Sequence, residues 1–238
     1  MKKGALINTS VLIYKMIIYN LKIIFANRFI WFMTGAILFY LGMAVIYALQ
    51  VDNPKQGDLF EVHLICGLLI VFYPAVFGIQ NDQDARTIEI LFGIPDYRYK
   101  VWLVRIMLIF AIGFIIMLLF TTISSLMLVK MQSLYMTAQV MAPVLFLGMM
   151  AFMVSTMVRN GNGTAVIMII FGLIFMIMSD PLRKSQWNIL MNPFTPAWDV
   201  SEMAWHIIAI KNRIILVSGS VIFLLGALYN LQKREKFM

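Results

Sequence analysis

Few side chains in this sequence have the types and spacing for chemistry. The two histidines, His63 and His206, both fall in the predicted outer region. Paired, they would suit a metal or haem, and singly they are ordinary interfacial histidines. Cys66 is the only cysteine, so it has no intrachain disulfide partner and no paired metal-ligand spacing. Met149, Met153 and Met157 recur at i, i+4. Thioether capture of a soft metal requires such groups to converge; filling irregular apolar space, or lining a compliant apolar pathway wall, asks less of them. Gly161-Asn-Gly163 lacks the third glycine, the lysine and the preceding strand of a phosphate-binding loop, and reads as a turn. No G-x-x-x-x-G-K-[ST] pattern occurs, so any nucleotide hydrolysis belongs to another chain. The sequence therefore predicts no enzyme, no resident metal and no cofactor held by this chain.

The elements that carry these residues follow from composition. Of 238 residues, 62% are apolar and 13% charged, with a mean hydropathy of +0.88. A soluble domain carries about 25% charge, so the chain reads as one all-α integral membrane domain over 1–238. A hydrocarbon core of about 30 Å takes about 20 helical residues to cross. Six runs meet that length: 29–49, 62–80, 106–129, 136–158, 163–179 and 214–231. Barrel strands would alternate apolar and polar residues, and these runs do not. The formal charge of +8 sits mainly beside the runs, which points to topology signals and anionic membrane lipids rather than nucleic acid. With the N-terminus inside, thirteen of the nineteen basic residues lie on inner segments. Both termini are therefore expected in the cytoplasm, at the cell (inner) membrane. Lys15, Asn20 and Lys22 interrupt the first apolar stretch. Val11–Arg28 thus reads as an amphipathic helix in the cytoplasmic interface rather than a secretory signal.

Two connections are too structured to be mere links. Between spans two and three, Asp84 is placed to cap a short helix that Pro95 ends, with Ile88, Leu91 and Phe92 on one face. Held at both ends by spans, such a helix either passes a push from a soluble partner into the membrane or only anchors the connection at the interface. The last outer connection, Asp180–Lys211, holds Trp187, Trp198 and Trp205. Asp199 and Glu202 have capping-box spacing ahead of an amphipathic helix over Val200–Ile210, and Pro181–Leu190 predicts a weaker one. Asn192-Pro193 and Thr195-Pro196 break the two apart. These helices either lie on the outer interface or re-enter it, where tryptophan is common.

Arg86-Thr-Ile-Glu-Ile-Leu-Phe-Gly-Ile-Pro95, after span two and before basic residues, resembles the coupling-helix segment of ABC-2 type permeases. Met191-Asn-Pro-Phe-Thr-Pro196 is similar to that family's Asn-Pro element, and the order and number of spans fit along essentially the whole chain. The resemblance implies the membrane half of an ATP-binding cassette exporter. Separate cytoplasmic ATPase subunits would hold ATP and Mg. A second copy, or a homologous permease, would complete the pathway for an amphipathic cargo such as a lipid, lipid-linked glycan, peptide or drug. Carried over by position, Arg86, Thr87, Glu89, Leu91, Phe92 and Pro95 would meet the ATPase, with Glu89 the polar contact and Leu91 and Phe92 the apolar plug. Asn192, Pro193, Trp198, Asp199 and Glu202 would form the outer re-entrant element, and Met149, Met153 and Met157 a stretch of pathway wall. The chain departs from the pattern in having Arg86 where glycine is frequent. Competing readings are a polytopic scaffold or assembly factor without transport, and a haem- or metal-handling membrane protein.

Overall fold

The computed structural model describes residue 18 and residues 29–51, 53–84 and 98–232, without the side chains of 82–84 and 98–100. The expected interfacial helix over Val11–Arg28 and the coupling segment Arg86–Pro95 lie outside the described residues. Among the described residues six α-helices follow in order: α1 Phe29–Gln50, α2 Gln56–Asp84, α3 Val104–Met127, α4 Ser133–Val158, α5 Gly161–Ser179 and α6 Glu202–Asn230. A wide π-helical turn, Arg98–Leu103, leads into α3. There is no strand among the described residues. All six helices are long and apolar enough to cross a membrane.

The bundle is built around α4. It packs most extensively on α6 and α2, with α3 and α5 on its remaining sides, and α1 leans on α2. Ile70 and Val76 of α2, Met117 of α3, and Val140 and Val144 of α4 are buried at this centre. The outside is apolar as well. Nine large apolar side chains of α5, from Val166 to Met178, are exposed. Burying each one would gain about 1.5–3 kcal/mol in water, so such a surface suits a lipid solvent, and the fold is that of a multi-pass membrane protein.

With no hydrophobic drive between helices in lipid, small residues and interhelical hydrogen bonds set the packing. The Ser155 hydroxyl donates to the Val76 carbonyl at 2.9 Å, tying α4 to α2. Thr121 and Thr137 share a hydrogen bond of 2.8 Å between α3 and α4. The Asn230 amide donates to Thr156 Oγ1 at 3.2 Å, fastening the end of α6. Between α4 and α5 the chain turns in two residues. Arg159 takes the left-handed conformation (φ 59°), and the Asn160 side chain caps α5 by accepting from Gly163 N. Gly161 lies so close to Phe77 and Gln80 that a Cβ would collide with both. This is the tight hairpin turn that the glycines predicted.

Three expectations are corrected. First, α6 runs unbroken from Glu202, so the separate helix over Val200–Ile210 and the sixth span are one helix; its cap is Ser201, accepting from Ala204 N, not Asp199. Second, Pro181–Leu190 is a chain of turns rather than a helix, with backbone bonds such as Ser185 N to Leu182 O and Asn188 N to Ser185 O. Third, Asp84 lies within α2, and the helix it was expected to cap lies outside the described residues. Helices outlast the hydrocarbon: α2 starts at Gln56 and takes in Asp58 and Glu61 ahead of the charge-free run.

Candidate functional site

The most elaborate polar structure among the described residues is the cap formed by segment 180–201 over one end of the bundle, termed here the loop face. The segment is pinned by buried side chains that replace the missing helical bonds, as buried backbone polar groups require. Asn188 donates to the Ser179 carbonyl at 3.2 Å and accepts from Leu190 N at 3.1 Å. Asn212, fully buried in α6, donates to the carbonyls of Gln186 (2.9 Å) and Asn188 (2.8 Å). Arg213 spends Nε on Gln139 Oε1 (2.8 Å), one terminal nitrogen on Asn212 Oδ1 (2.6 Å) and the other on the Met191 carbonyl (3.1 Å). Its guanidinium also stacks 5.8 Å from the Phe60 ring. A charge just inside an apolar helix is costly unless so engaged.

Of the residues expected in the outer element, Asn192 and Pro193 are inside this framework. The Asn192 amide donates to the Gly57 carbonyl at 2.9 Å and to Glu61 Oε1 at 3.4 Å, while its oxygen accepts from Phe194 N at 3.1 Å. It therefore joins the segment to the start of α2 across more than 130 residues of chain. The Pro193 carbonyl accepts from the indole of Trp205 at 2.9 Å, and that tryptophan is buried. Trp187 and Trp198 are exposed, the latter 90%, so two of the three tryptophans have the setting of interfacial anchors and Trp205 does not. Asp199 pairs with Lys184, which also lies 5.6 Å from the Trp198 ring centre. The hydrogen bond from Lys184 holds the Asp199 carboxyl below the usual carboxylate range. Glu202 is exposed in the first turn of α6, where the helix dipole favours an acid.

Beneath this segment lies a cavity of about 190 Å³ whose wall includes Glu61, Ser179, Asp180, Arg183, Asn192 and Trp205. A second, apolar cleft of about 120 Å³ opens between α2, α4 and α5, edged by Phe72, Ala151, Met168 and Gly172.

The three methionines have separate settings. Met149 is buried in the core, Met153 is half-buried with its sulfur against Gly226, and Met157 is 60% exposed. None of them edges either cavity. Their i, i+4 spacing thus runs from packed core to surface. No cluster of three or more His, Cys, Asp or Glu side chains suited to a metal occurs among the described residues.

Sequence reasoning missed a buried network under α1. His63 is fully buried in α2. Its Nδ1 donates to the Leu59 carbonyl, which leaves Nε2 to accept from the Ser124 hydroxyl at 3.3 Å. The Tyr40 hydroxyl lies 2.9 Å from both Ser124 Oγ and the Phe120 carbonyl, and its ring stacks on Phe120 with centroids 4.3 Å apart. The available signal was a serine and a tyrosine inside apolar runs, where unpaired hydroxyls are expensive. Cys66 is buried next to the α1 backbone, its thiol 3.8 Å from the Ala36 carbonyl, in keeping with a core position.

The chain was compared with protein-family models, curated proteins and solved structures, and no match was found in any of the three.

Proposed function

We propose that this chain is the membrane subunit of an ATP-driven exporter of the ABC-2 permease type, moving an amphipathic cargo. The reading is carried by the position of Arg86–Pro95: it joins α2 to the turn that enters α3, and both of those helices pack against the central α4. A force applied between them therefore reaches the middle of the bundle rather than its edge. Swinging a two-state equilibrium from 1:99 to 99:1 takes about 5.5 kcal/mol of differential binding, which nucleotide bound by a partner ATPase would supply. A short amphipathic helix fixed at both ends is suited to transmit it. In this reading the coupling segment and both termini are cytoplasmic, and the 180–201 cap faces outward as a lid on the pathway between two permease chains. Arg105 is buried in the first turn of α3, directly after the π-helical turn, with its guanidinium 4.8 Å from the Trp102 ring.

The test is co-purification. The full chain, expressed in its native membrane and extracted in mild detergent, is expected to bring down an ATP-binding cassette ATPase identified by mass spectrometry. Glu89→Lys with Phe92→Asp is expected to release that ATPase while the melting temperature of the membrane subunit holds. Retention of the ATPase by the double variant would overturn the docking assignment, and absence of any ATPase from the wild-type preparation would overturn the exporter reading.

A further inference from the structure

The cavity under the 180–201 cap has a chemistry of its own. Its charged wall residues are two carboxylates, Glu61 and Asp180, and one guanidinium, Arg183. Among the described residues no ion pair joins Arg183 to either acid; the ion pair present is Lys184–Asp199, outside the cavity wall. The neighbouring amides are already spent, since Asn188 and Asn192 both donate to the protein's own chain. The fold also sets these charges in place. Asp180 directly follows the end of α5, and Arg183 N bonds back to the Asp180 carbonyl at 3.2 Å, so one turn presents an acid and a base together. Glu61 is brought to the same cavity by α2, and its carboxylate accepts from the Asn192 amide at 3.4 Å. The wall behind them is buried Trp205 and Met191.

We infer that this cavity binds a zwitterion carrying a primary ammonium and a phosphodiester, the ammonium between Glu61 and Asp180 and the phosphate on Arg183. Three N–H donors of an ammonium suit two carboxylates, and a guanidinium fork suits two phosphate oxygens. The excess of one negative charge in the wall works against a purely anionic ligand. A quaternary ammonium has no N–H to give those carboxylates, and one aromatic ring is no cage for it. The site lies where the apolar helices end, under the same segment that carries exposed Trp187 and Trp198, so the ligand is within reach either as a phospholipid headgroup or as a free phosphoamine. The inference needs the loop face to lie at a membrane surface and does not depend on an ATPase, so it and the exporter reading fail separately.

The test uses the full chain in nanodiscs of equal phosphatidylethanolamine, phosphatidylglycerol and phosphatidylcholine, followed by native mass spectrometry of the released protein. Wild type is expected to retain phosphatidylethanolamine about tenfold over either other lipid. Arg183→Gln and Asp180→Asn, both at exposed positions, are each expected to abolish that preference with unchanged melting. Added glycerophosphoethanolamine separates the sources. Displacement of the lipid identifies the headgroup alone as sufficient, and retention identifies the lipid, whose chains add to binding. No preference in the wild type, a preference for either other lipid, or variants that keep the wild-type selectivity would each overturn the inference.

Discussion

Helices α4 and α5 are joined by two residues and are about equally apolar, yet 78% of the most apolar stretch of α4 is buried against 17% for α5. In water that contrast would be written in hydropathy. In lipid it is written in the small and hydroxylated residues instead. Helix α4 carries Ala142, Gly148 and Ala151 on packed faces and sends Thr137 and Ser155 to its neighbours. Helix α5 turns a row of branched and long apolar side chains outward, and its Thr164 hydroxyl bonds back to the Asn160 carbonyl at its own N-terminus. An apolar run thus identifies a span, and its interruptions identify the face that packs.

The sharpest way to break that contrast is to give each helix one methyl group. A Cβ on Gly148 of α4 would stand 2.6 Å from Val71 Cγ1 and 2.8 Å from Phe110 Cζ, where α2, α3 and α4 meet. Overpacking of this kind costs about 1–3 kcal/mol, and Gly148→Ala is expected to lose that much. Gly172 of α5 has nothing within 4 Å of its Cβ position. There, Gly172→Ala is expected to be neutral or to stabilise by up to about 1 kcal/mol through helix propensity. Equilibrium unfolding in bicelles measures both, and equal losses would show that the two helices are packed alike.

A smaller effect is expected from the hydroxyls. Ser155→Ala removes the donor to the Val76 carbonyl and is expected to cost about 0.6 kcal/mol, the average for interhelical hydrogen bonds in a membrane protein. Thr164→Ala leaves every interhelical bond in place and is expected to cost less. If Thr164→Ala proved the costlier of the two in the same bicelle assay, interhelical bonding would not be what distinguishes α4.

The six spans were legible because charge-free runs of helical length leave few alternatives. Their ends were less so, and the reason is physical. Counting charges stops a span at Glu61 or Arg213, but a helix continues wherever its polar side chains find partners. Arg213 finds Gln139, Asn212 and a carbonyl, so the outer helix before span six is simply the start of α6. The cap was half legible. Asn192-Pro193 marked a break, but its partners Gly57 and Glu61 lie some 130 positions away, and nothing in one sequence announces that pairing. Arg183, a wall residue of the cavity, read only as part of a basic count. The network of Tyr40, His63 and Ser124 was missed for the same reason: each residue is unremarkable until α1, α2 and α3 are laid side by side.

The smallest effect belongs to the water side of the molecule, and it separates a surface tie from a buried one. The Lys184 ammonium holds the Asp199 carboxyl below its ordinary range. A carboxyl with a depressed folded value contributes above the unfolded value, near 3.9, and its contribution is lost as pH falls through the lower folded value. The cap is therefore expected to loosen only in strong acid, and salt is expected to weaken the tie at any pH because the pair is exposed. Trp198 reports it directly, since Lys184 sits over its ring. Its fluorescence is expected to titrate with a midpoint below that of an ordinary aspartate in wild type, and that transition is expected to vanish in Asp199→Asn with the unfolding free energy in bicelles hardly moved. A midpoint at or above the ordinary value would mean that the ammonium does not hold this carboxylate. A large loss of stability in Asp199→Asn would make this exposed tie a structural bond of the same standing as those inside α4.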